Sequence, residues 1–427
     1  MTGLHFGMVT TFYPPFNFGG DGMGILRLSQ ALVRRGHRVT VIHDGDAYVT
    51  LAGKEPAAPP AADGVEIVTL RSGLGLVSNL LTQQTGQPVV HGARIRRELE
   101  QRGVDVTVFH NVSLVGGPGV LSMGRGPTLY MAHEHWLVCP THVLWRHMKE
   151  VCTGRECLRC QLAYKRPPQL WRYTGYLERQ LGYVDEFIAM SEFSRRKHRE
   201  FGFPREMTVV PYFLPEVTEG TKVTEATEGR GAEGSPHPRP YFLFVGRLEK
   251  IKGLDDVIPV FETFDRADLL IAGDGEYAEV LKGIAKGNPR VKFLGRVAPA
   301  DLSRYYRHAA ALLVPSVCFE TFGIIIIEAF RQGTPVVARR IGPFPEILEA
   351  SDGGDLFDDA RDLAAVLHRY LDEPDRRARL GAAARAAFSA RWSEAAVIPQ
   401  FLDVVRRAAL KRGDQRVITA LSSEVAA

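Results

Sequence analysis

Short apolar runs rich in valine, isoleucine, leucine and phenylalanine alternate along this chain with longer amphipathic stretches, a pattern that predicts parallel strands joined by crossover helices. In the first half, strands are predicted at 5–11, 38–42, 65–70, 104–109, 128–132, 186–190 and 207–210. A loop holding Gly19, Gly20, Gly22 and Gly24 follows the first of them. It leads into a helix whose Ile25, Leu28, Leu32 and Val33 share one face. Gly36 is placed to end that helix, since a left-handed residue there carries no steric cost. Residues 215–240 have almost no large apolar side chains and read as a linker. The alternation then restarts, with strands at 241–245, 268–272, 291–294, 311–314 and 335–338 and helices at 276–286 and 299–308.

The expected architecture is therefore α/β, with two Rossmann-like doubly wound domains facing each other across a cleft. The domains are predicted at 1–214, carrying a Cys-rich insertion at 139–168, and at 241–390, with a closing helical segment at 391–427. A chain of 427 residues is long enough for two cores. Ligands in such sheets sit outside the carboxyl ends of the strands, so the loops at those ends are where chemistry is sought.

Composition changes this picture little. Hydrophobic residues make up 45% and charged residues 24%, as in ordinary globular chains, and the net charge of +4 does not call for a nucleic-acid partner. Residues 1–212 are the more basic part, with 24 lysines and arginines against 18 acids. That bias could suit an anionic acceptor or peripheral contact with a membrane, but a solvated basic face is the plainer reading and the preferred one. No segment approaches the ~18 uninterrupted apolar residues of a membrane span. The first residues lack the layout of a signal peptide. Five cysteines, an odd number with four crowded between 139 and 160, point to reduced thiols in a cytoplasmic protein. Cys318 stands apart and reads as a small core residue.

Two stretches of the second half carry candidate chemistry. In Val245-Gly246-Arg247-Leu248-Glu249-Lys250-Ile251-Lys252-Gly253, a strand ends at Gly246 and Arg247 and Lys252 emerge from the sheet edge. Two fixed cations there suit a diphosphate, and a solvated basic turn is the plainer alternative. In the stretch from Pro315 to Phe330, Glu328 lies in a helix apolar on every side, where ribose hydroxyls would satisfy an otherwise costly buried carboxylate. Glu320 precedes that helix, and the free amides near Phe322, Gly323 and Ile324 would face an anion. The alternatives are a buried arginine partner for Glu328 and a capping role for Glu320.

In the first half, His133 closes a strand and is expected to face the cleft. Its ordinary role would be that of a satisfied structural histidine. Cys139, Cys152, Cys157 and Cys160 form C-x12-C-x4-C-x2-C, which offers four sulfurs to one tetrahedral zinc ion. Metal-free thiols, a redox pair or a disulfide compete with that reading, and His142 and His147 are spare ligands. The insertion is expected beside the acceptor entrance.

The Glu320-x7-Glu328 spacing, with Phe322-Gly323 between, resembles the signature of family 4 glycosyltransferases, which have the GT-B fold. Gly246-Arg247 with Lys252-Gly253 is similar to the family's phosphate loop, and Gly273-Asp274-Gly275 to its Gly-Asp-Gly turn. Gly333 to Ile347, Gly19-Gly20 and Ser191 to Ser194 resemble further landmarks, so the likeness covers most of the chain. It implies a retaining hexosyltransferase that needs no cofactor for catalysis. Arg247 and Lys252 would hold the donor diphosphate, Glu328 the ribose and Glu320 the transferred sugar, with Gly19, Gly20, Gly246, Gly273, Asp274, Phe322, Gly323 and Ile324 lining the donor. His133 would hydrogen-bond the sugar, and Glu134 stands where the family often has Asp. The terminal helix would cross back to the first domain. The implied donor is a UDP-, GDP- or ADP-sugar, and the acceptor a saccharide, a lipid-linked molecule or a small molecule. A nucleotide-sugar epimerase and a non-catalytic zinc-bearing binding subunit share this layout as rival readings.

Overall fold

The structure, a computed structural model, describes residues 3–56, 63–216 and 234–425, so most of the predicted linker, 217–233, lies outside the described residues. The chain divides into two compact units, Met1–Tyr212 together with Val397–Ala427, and Phe213–Ala396.

The first unit is built on a parallel sheet of β1 (His5–Thr10), β2 (Arg38–Asp44), β3 (Glu66–Leu70), β4 (Val106–Phe109), β5 (Thr128–Ala132), β8 (Glu186–Ala189) and β9 (Met207–Val209), in the order β3-β2-β1-β4-β5-β8-β9. Every residue of β1, β4 and β5 is buried, as a sheet covered on both faces requires. The helix Gly20–Arg34 buries Ile25, Leu28 and Leu32, and Gly36 follows it with φ +85°. Between β5 and β8 the insertion forms an antiparallel hairpin, β6 (Trp145–Arg146) and β7 (Glu150–Val151), and a helix, Cys157–Ala163. Two-residue strands are too short to show a period, which is why the sequence pattern misses them.

The C-terminal segment is two helices, Glu394–Arg412 and Gln415–Val425, where one closing helical segment over 391–427 was predicted. Phe401 packs on Phe6 with ring centroids 6.3 Å apart. Arg412 pairs with Asp185 at 2.6 Å, Lys411 with Glu186 at 2.9 Å and Arg416 with Asp105 at 3.0 Å. These acids stand at the amino ends of β4 and β8, so this clasp lies at the edge of the sheet opposite the carboxyl ends.

The second unit has six parallel strands, β10 (Tyr241–Val245), β11 (Asp268–Ala272), β12 (Val291–Gly295), β13 (Leu312–Val314), β14 (Val336–Arg339) and β15 (Gly354–Phe357), in the order β12-β11-β10-β13-β14-β15. Strand β15 was not predicted, since Gly-Asp-Leu-Phe is polar over half its length, and pairing with β14 sets its conformation. The predicted helix 276–286 is observed as Ala278–Ala285, with Tyr277 as its N-cap and the Tyr277 amide donating to the Leu248 carbonyl. In both sheets the first strand is central and the order reverses beside it, between β1 and β4 and between β10 and β13. Those reversals open crevices at the carboxyl ends of these strands.

Candidate active site

In the second unit the crevice is bordered by the loops after β10 and β13. The loop after β10 carries Gly246, Arg247 and Lys252, and the loop after β13 carries Ser316, Cys318 and Glu320. Lys252 Nζ donates to Glu320 Oε1 at 2.8 Å, and the same oxygen accepts from the buried Ser316 hydroxyl at 2.6 Å. Burial is the largest influence on Glu320 and pushes its pKa up, but Lys252, Ser316 and Arg247 outweigh it and leave the carboxyl below its usual value. Burial likewise presses Lys252 down, and Glu320, Cys318 and Glu249 more than restore it. Both groups are thus held charged. Cys318 is buried beside them, its thiol pushed up to about 12 by burial and then by Glu320, so it is an inert core residue.

Arg247 is exposed and pairs with Glu249 at 2.8 Å. Its loop is seated on the Gly-Asp-Gly turn. The Leu248 amide donates to the Asp274 carbonyl at 3.0 Å, and Gly246 N donates to Ala272 O at 3.1 Å. A Cβ on Gly273 would lie 1.8 Å from the Gly246 carbonyl oxygen, at a φ of +150° that side-chain-bearing residues rarely adopt. Gly273 is therefore a packing requirement of the Arg247 loop, and Asp274, with its exposed side chain, contributes through its backbone.

The helix after Glu320 spans Ile324–Arg331 and buries Ile326, Ile327, Ala329 and Phe330. Its N-cap is Gly323 with no side-chain cap, so Glu320 does not serve as a cap. Glu328 corrects the sequence reading. The helix is not buried on every side, and Glu328 lies on its half-buried face, where Oε2 accepts from the Tyr306 hydroxyl at 3.0 Å. Phe322 is buried beneath the loop. Sequence reasoning missed Ser316 and Tyr306. Ser316 lies two positions past β13, at the start of the Glu320 loop, which was an available signal, whereas Tyr306 is brought to Glu328 only by packing of two helices.

In the first unit, His133 follows β5 and is buried with both ring nitrogens engaged. Nδ1 is hydrogen-bonded to the Tyr212 hydroxyl at 2.5 Å and Nε2 to His110 Nδ1 at 2.8 Å. Burial takes the His133 pKa down to about 3, and burial with the neighbouring His133 ring takes His110 well below its ordinary value, so the pair is neutral. In this arrangement His133 has no ring nitrogen unengaged, and binding a sugar through it requires exchange of one of these partners. The glycine loop reaches the same cluster. Gly19 is the N-cap of the helix that opens at Gly20, and a Cβ on Gly24 would lie 2.3 Å from the Tyr212 ring. Glu134 accepts from, or pairs with, His142 Nδ1 at 2.7 Å.

A second buried group at this edge was not foreseen. Asp44 ends β2, Asp46 follows it and His91 precedes the helix Gly92–Gln101. Their ligand atoms lie within 4.8 Å of one another. Asp44 Oδ1 accepts from the Ala47 amide at 2.9 Å, and Asp46 Oδ2 from the Ser72 amide at 2.8 Å. Burial above all raises the Asp44 pKa to about 7. The four clustered cysteines are free thiols, with Cys139 and Cys160 buried and Cys152 and Cys157 half-buried.

Comparison with known proteins bears on the family and the fold. Residues 18–214 match the family model described as Glycosyltransferase Family 4, and residues 225–387 the one described as Glycosyl transferases group 1. The chain is 34% identical over 390 residues to D-inositol 3-phosphate glycosyltransferase of Thermobifida fusca, covering 86% of this chain and 83% of that protein. It is 26% identical over 352 residues to phosphatidyl-myo-inositol mannosyltransferase of Mycobacterium leprae, covering 80% and 81%. A match to sulfoquinovosyl transferase SQD2 of Arabidopsis thaliana, 34% identical over 161 residues, spans 36% of this chain and only 31% of that one. Among solved structures, Anabaena Alr3699/HepE in complex with UDP and glucose superposes with a TM-score of 0.66 at 18% identity, over 94% of this chain and 99% of that one. At that identity the likeness speaks for the fold.

Proposed function

The chain belongs to glycosyltransferase family 4 and is a glycosyltransferase of GT-B fold, and from that premise we propose that it transfers a hexosyl-type sugar, with retention, from a nucleoside-diphosphate sugar to a polyol acceptor. The observation that carries the proposal is the charged Lys252–Glu320–Ser316 cluster at the strand reversal of the second unit, with exposed Arg247 beside it. When the anomeric C–O bond breaks, negative charge gathers on the leaving diphosphate. Lys252, held in place by Glu320, and the exposed Arg247 beside it stabilise that charge. The acceptor hydroxyl attacks on the face the phosphate leaves, and its proton passes to the departing phosphate oxygen. The new bond therefore keeps the anomeric configuration. Glu320 is tied down by Lys252 and Ser316, which suits orientation of the sugar better than nucleophilic attack. Glu328, on a half-exposed helix face, exchanges its Tyr306 contact for the ribose hydroxyls.

The acceptor falls to the first unit, whose carboxyl edge presents His133, His110 and the Asp44–Asp46–His91 group. Named relatives act on inositol phosphate and phosphatidylinositol, which favours an inositol-like polyol, free or lipid-linked. No helix among the described residues is long and apolar enough to cross a membrane. A lipid-linked acceptor would instead be met at the membrane surface, where exposed Leu76, Val77 and Leu80 on the helix Gly75–Thr85 offer an apolar face beside exposed Leu51 and Leu170 on elements packed against it. Co-sedimentation with anionic vesicles should fall several-fold in Leu76→Asp/Leu80→Asp, and unchanged sedimentation would rule that face out.

The decisive assay incubates the enzyme with UDP-, GDP- and ADP-sugars and D-inositol 3-phosphate, and reads the product by proton NMR. An axial donor should yield an axial glycoside. An equatorial product would disprove retention, and hydrolysis or epimerisation without acceptor-dependent product would disprove transfer to this acceptor class.

A further inference from the structure

The insertion between β5 and β8 plays no part in the chemistry above, yet it holds four of the five cysteines. Its backbone draws them from three separate places. Cys139 lies in the turn after Trp136, its amide donating to the His135 carbonyl at 2.7 Å. Cys152 leaves the β6–β7 hairpin, its amide bonded to the Leu144 carbonyl at 2.7 Å. Cys157 and Cys160 stand one turn apart at the start of the helix Cys157–Ala163. The hairpin turn lies over that helix, since the His147 amide donates to Cys160 Sγ at 3.4 Å.

Two observations call for something more than reduced thiols. His142, Leu144, His147 and Met148 all have φ between +47° and +77°, the left-handed region that costs a side-chain-bearing residue about 1–2 kcal/mol. Such a run persists only where its surroundings over-determine it, and two strands of two residues do not. The second is Arg172. Its guanidinium stacks on Trp136 and Trp171, with its central carbon 5.0 and 4.6 Å from the ring centroids, and donates to Trp136 O at 2.8 Å and Gln169 Oε1 at 2.5 Å. Among the described residues no carboxylate pairs with it. It lines one cavity with Cys157. A permanent cation placed beside thiols and without an acid lacks a counter-charge. Four thiolates around a divalent ion carry a net charge of −2 and would supply it.

We propose that Cys139, Cys152, Cys157 and Cys160 bind one structural zinc ion, with Arg172 as the counter-charge that stabilises the thiolate set. The four thiols release their protons to solvent as the ion binds. Among the described residues no three of the sulfurs lie within 4.8 Å of one another, whereas zinc bound at about 2.3 Å draws them to about 3.8 Å. Rotation about χ1 moves a thiol sulfur by about 3 Å with the backbone in place, so ligation calls for a change of rotamers. The ion would brace the hairpin against the helix, and its contribution is to stability.

The test is metal analysis of the full-length protein purified without chelator. About one zinc per chain is expected, and under about 0.2 per chain after growth in zinc-supplemented medium overturns the proposal. Cys157→Ser/Cys160→Ser should lose the ion, whereas Cys318→Ser should retain it. Because the double variant could misfold, the wild-type protein is also exchanged with cobalt. A tetrahedral thiolate site then shows intense visible bands with sulfur-to-cobalt charge transfer, and weak octahedral bands would overturn the assignment. Arg172→Met should weaken zinc retention in a competition with a chromogenic chelator by about 10-fold, and unchanged retention removes Arg172 from the site. Thiol counting in denaturant with a chelator should find five free thiols, and a count of three would replace zinc with a disulfide.

Discussion

The carboxyl edges of the two sheets have the same topology and opposite electrostatics. At the reversal beside β10 the side chains are ions: Lys252, Glu320 and Arg247, each held charged or exposed. At the edge carrying His133, Tyr212 and His110 the cluster is neutral and buried, with burial holding His133 near a pKa of 3. One edge suits a ligand whose charge rises in the transition state, and the other suits hydroxyl groups. A common fold thus hosts two chemistries because the sheet supplies only the place, and a few loop residues determine whether burial is opposed by a partner charge.

The largest way to break this comparison is at the charged edge. Lys252→Ala should lower kcat about 10²–10³-fold, equivalent to about 2.7–4 kcal/mol of transition-state stabilisation, while the circular dichroism spectrum is retained. Activity close to wild type would place the diphosphate elsewhere. Glu328→Ala, further from the breaking bond, should chiefly raise the Kd for the nucleotide by about 10-fold in titration calorimetry, with a smaller effect on kcat.

At the neutral edge, His133→Gln should lower kcat/KM by about 10-fold through a lost hydrogen bond, and it should also change the acid response. A histidine at about 3 when folded and 6.5 when unfolded leaves the unfolded chain binding the extra proton between those values. Its contribution to stability is therefore lost as pH falls through 6.5 towards 3, and His133→Gln should show a smaller drop in urea midpoint between pH 7 and pH 4.5. Asp44 has the opposite sign. Its folded pKa of about 7 lies above the ordinary 3.8, so stability is present below 3.8 and lost as pH rises from there through 7. Asp44→Asn, which keeps an acceptor for the Ala47 amide, should have a higher urea midpoint than wild type at pH 8 and a similar one at pH 4. Equal midpoints at pH 8 would mean that Asp44 is solvated.

Much of the fold was legible because a buried parallel strand announces itself as an unbroken apolar run. Strands β5, β10 and β11 begin and end where the pattern predicts. Strand β15 and the β6–β7 hairpin were not legible, since their conformation comes from a partner and not from their own side chains. Of the charged cluster, Arg247, Lys252 and Glu320 were singled out from the loops they occupy, but the 2.8 Å pairing of Lys252 with Glu320 was not. The two residues are separated by 68 positions, and no local pattern encodes such a meeting.

By itself the sequence determined the two rounds of strand and helix, the loops that carry chemistry and the grouping of four cysteines, because periodicity, turn residues and spacing are local properties. The tertiary structure alone decided which ions are paired, that His133 is neutral, that Glu328 lies on a half-buried face with Tyr306, and that Arg172 lines a cavity with Cys157 while no carboxylate among the described residues pairs with it. Burial and charge are set by what the rest of the chain brings near a residue, and they become defined only when distant segments meet.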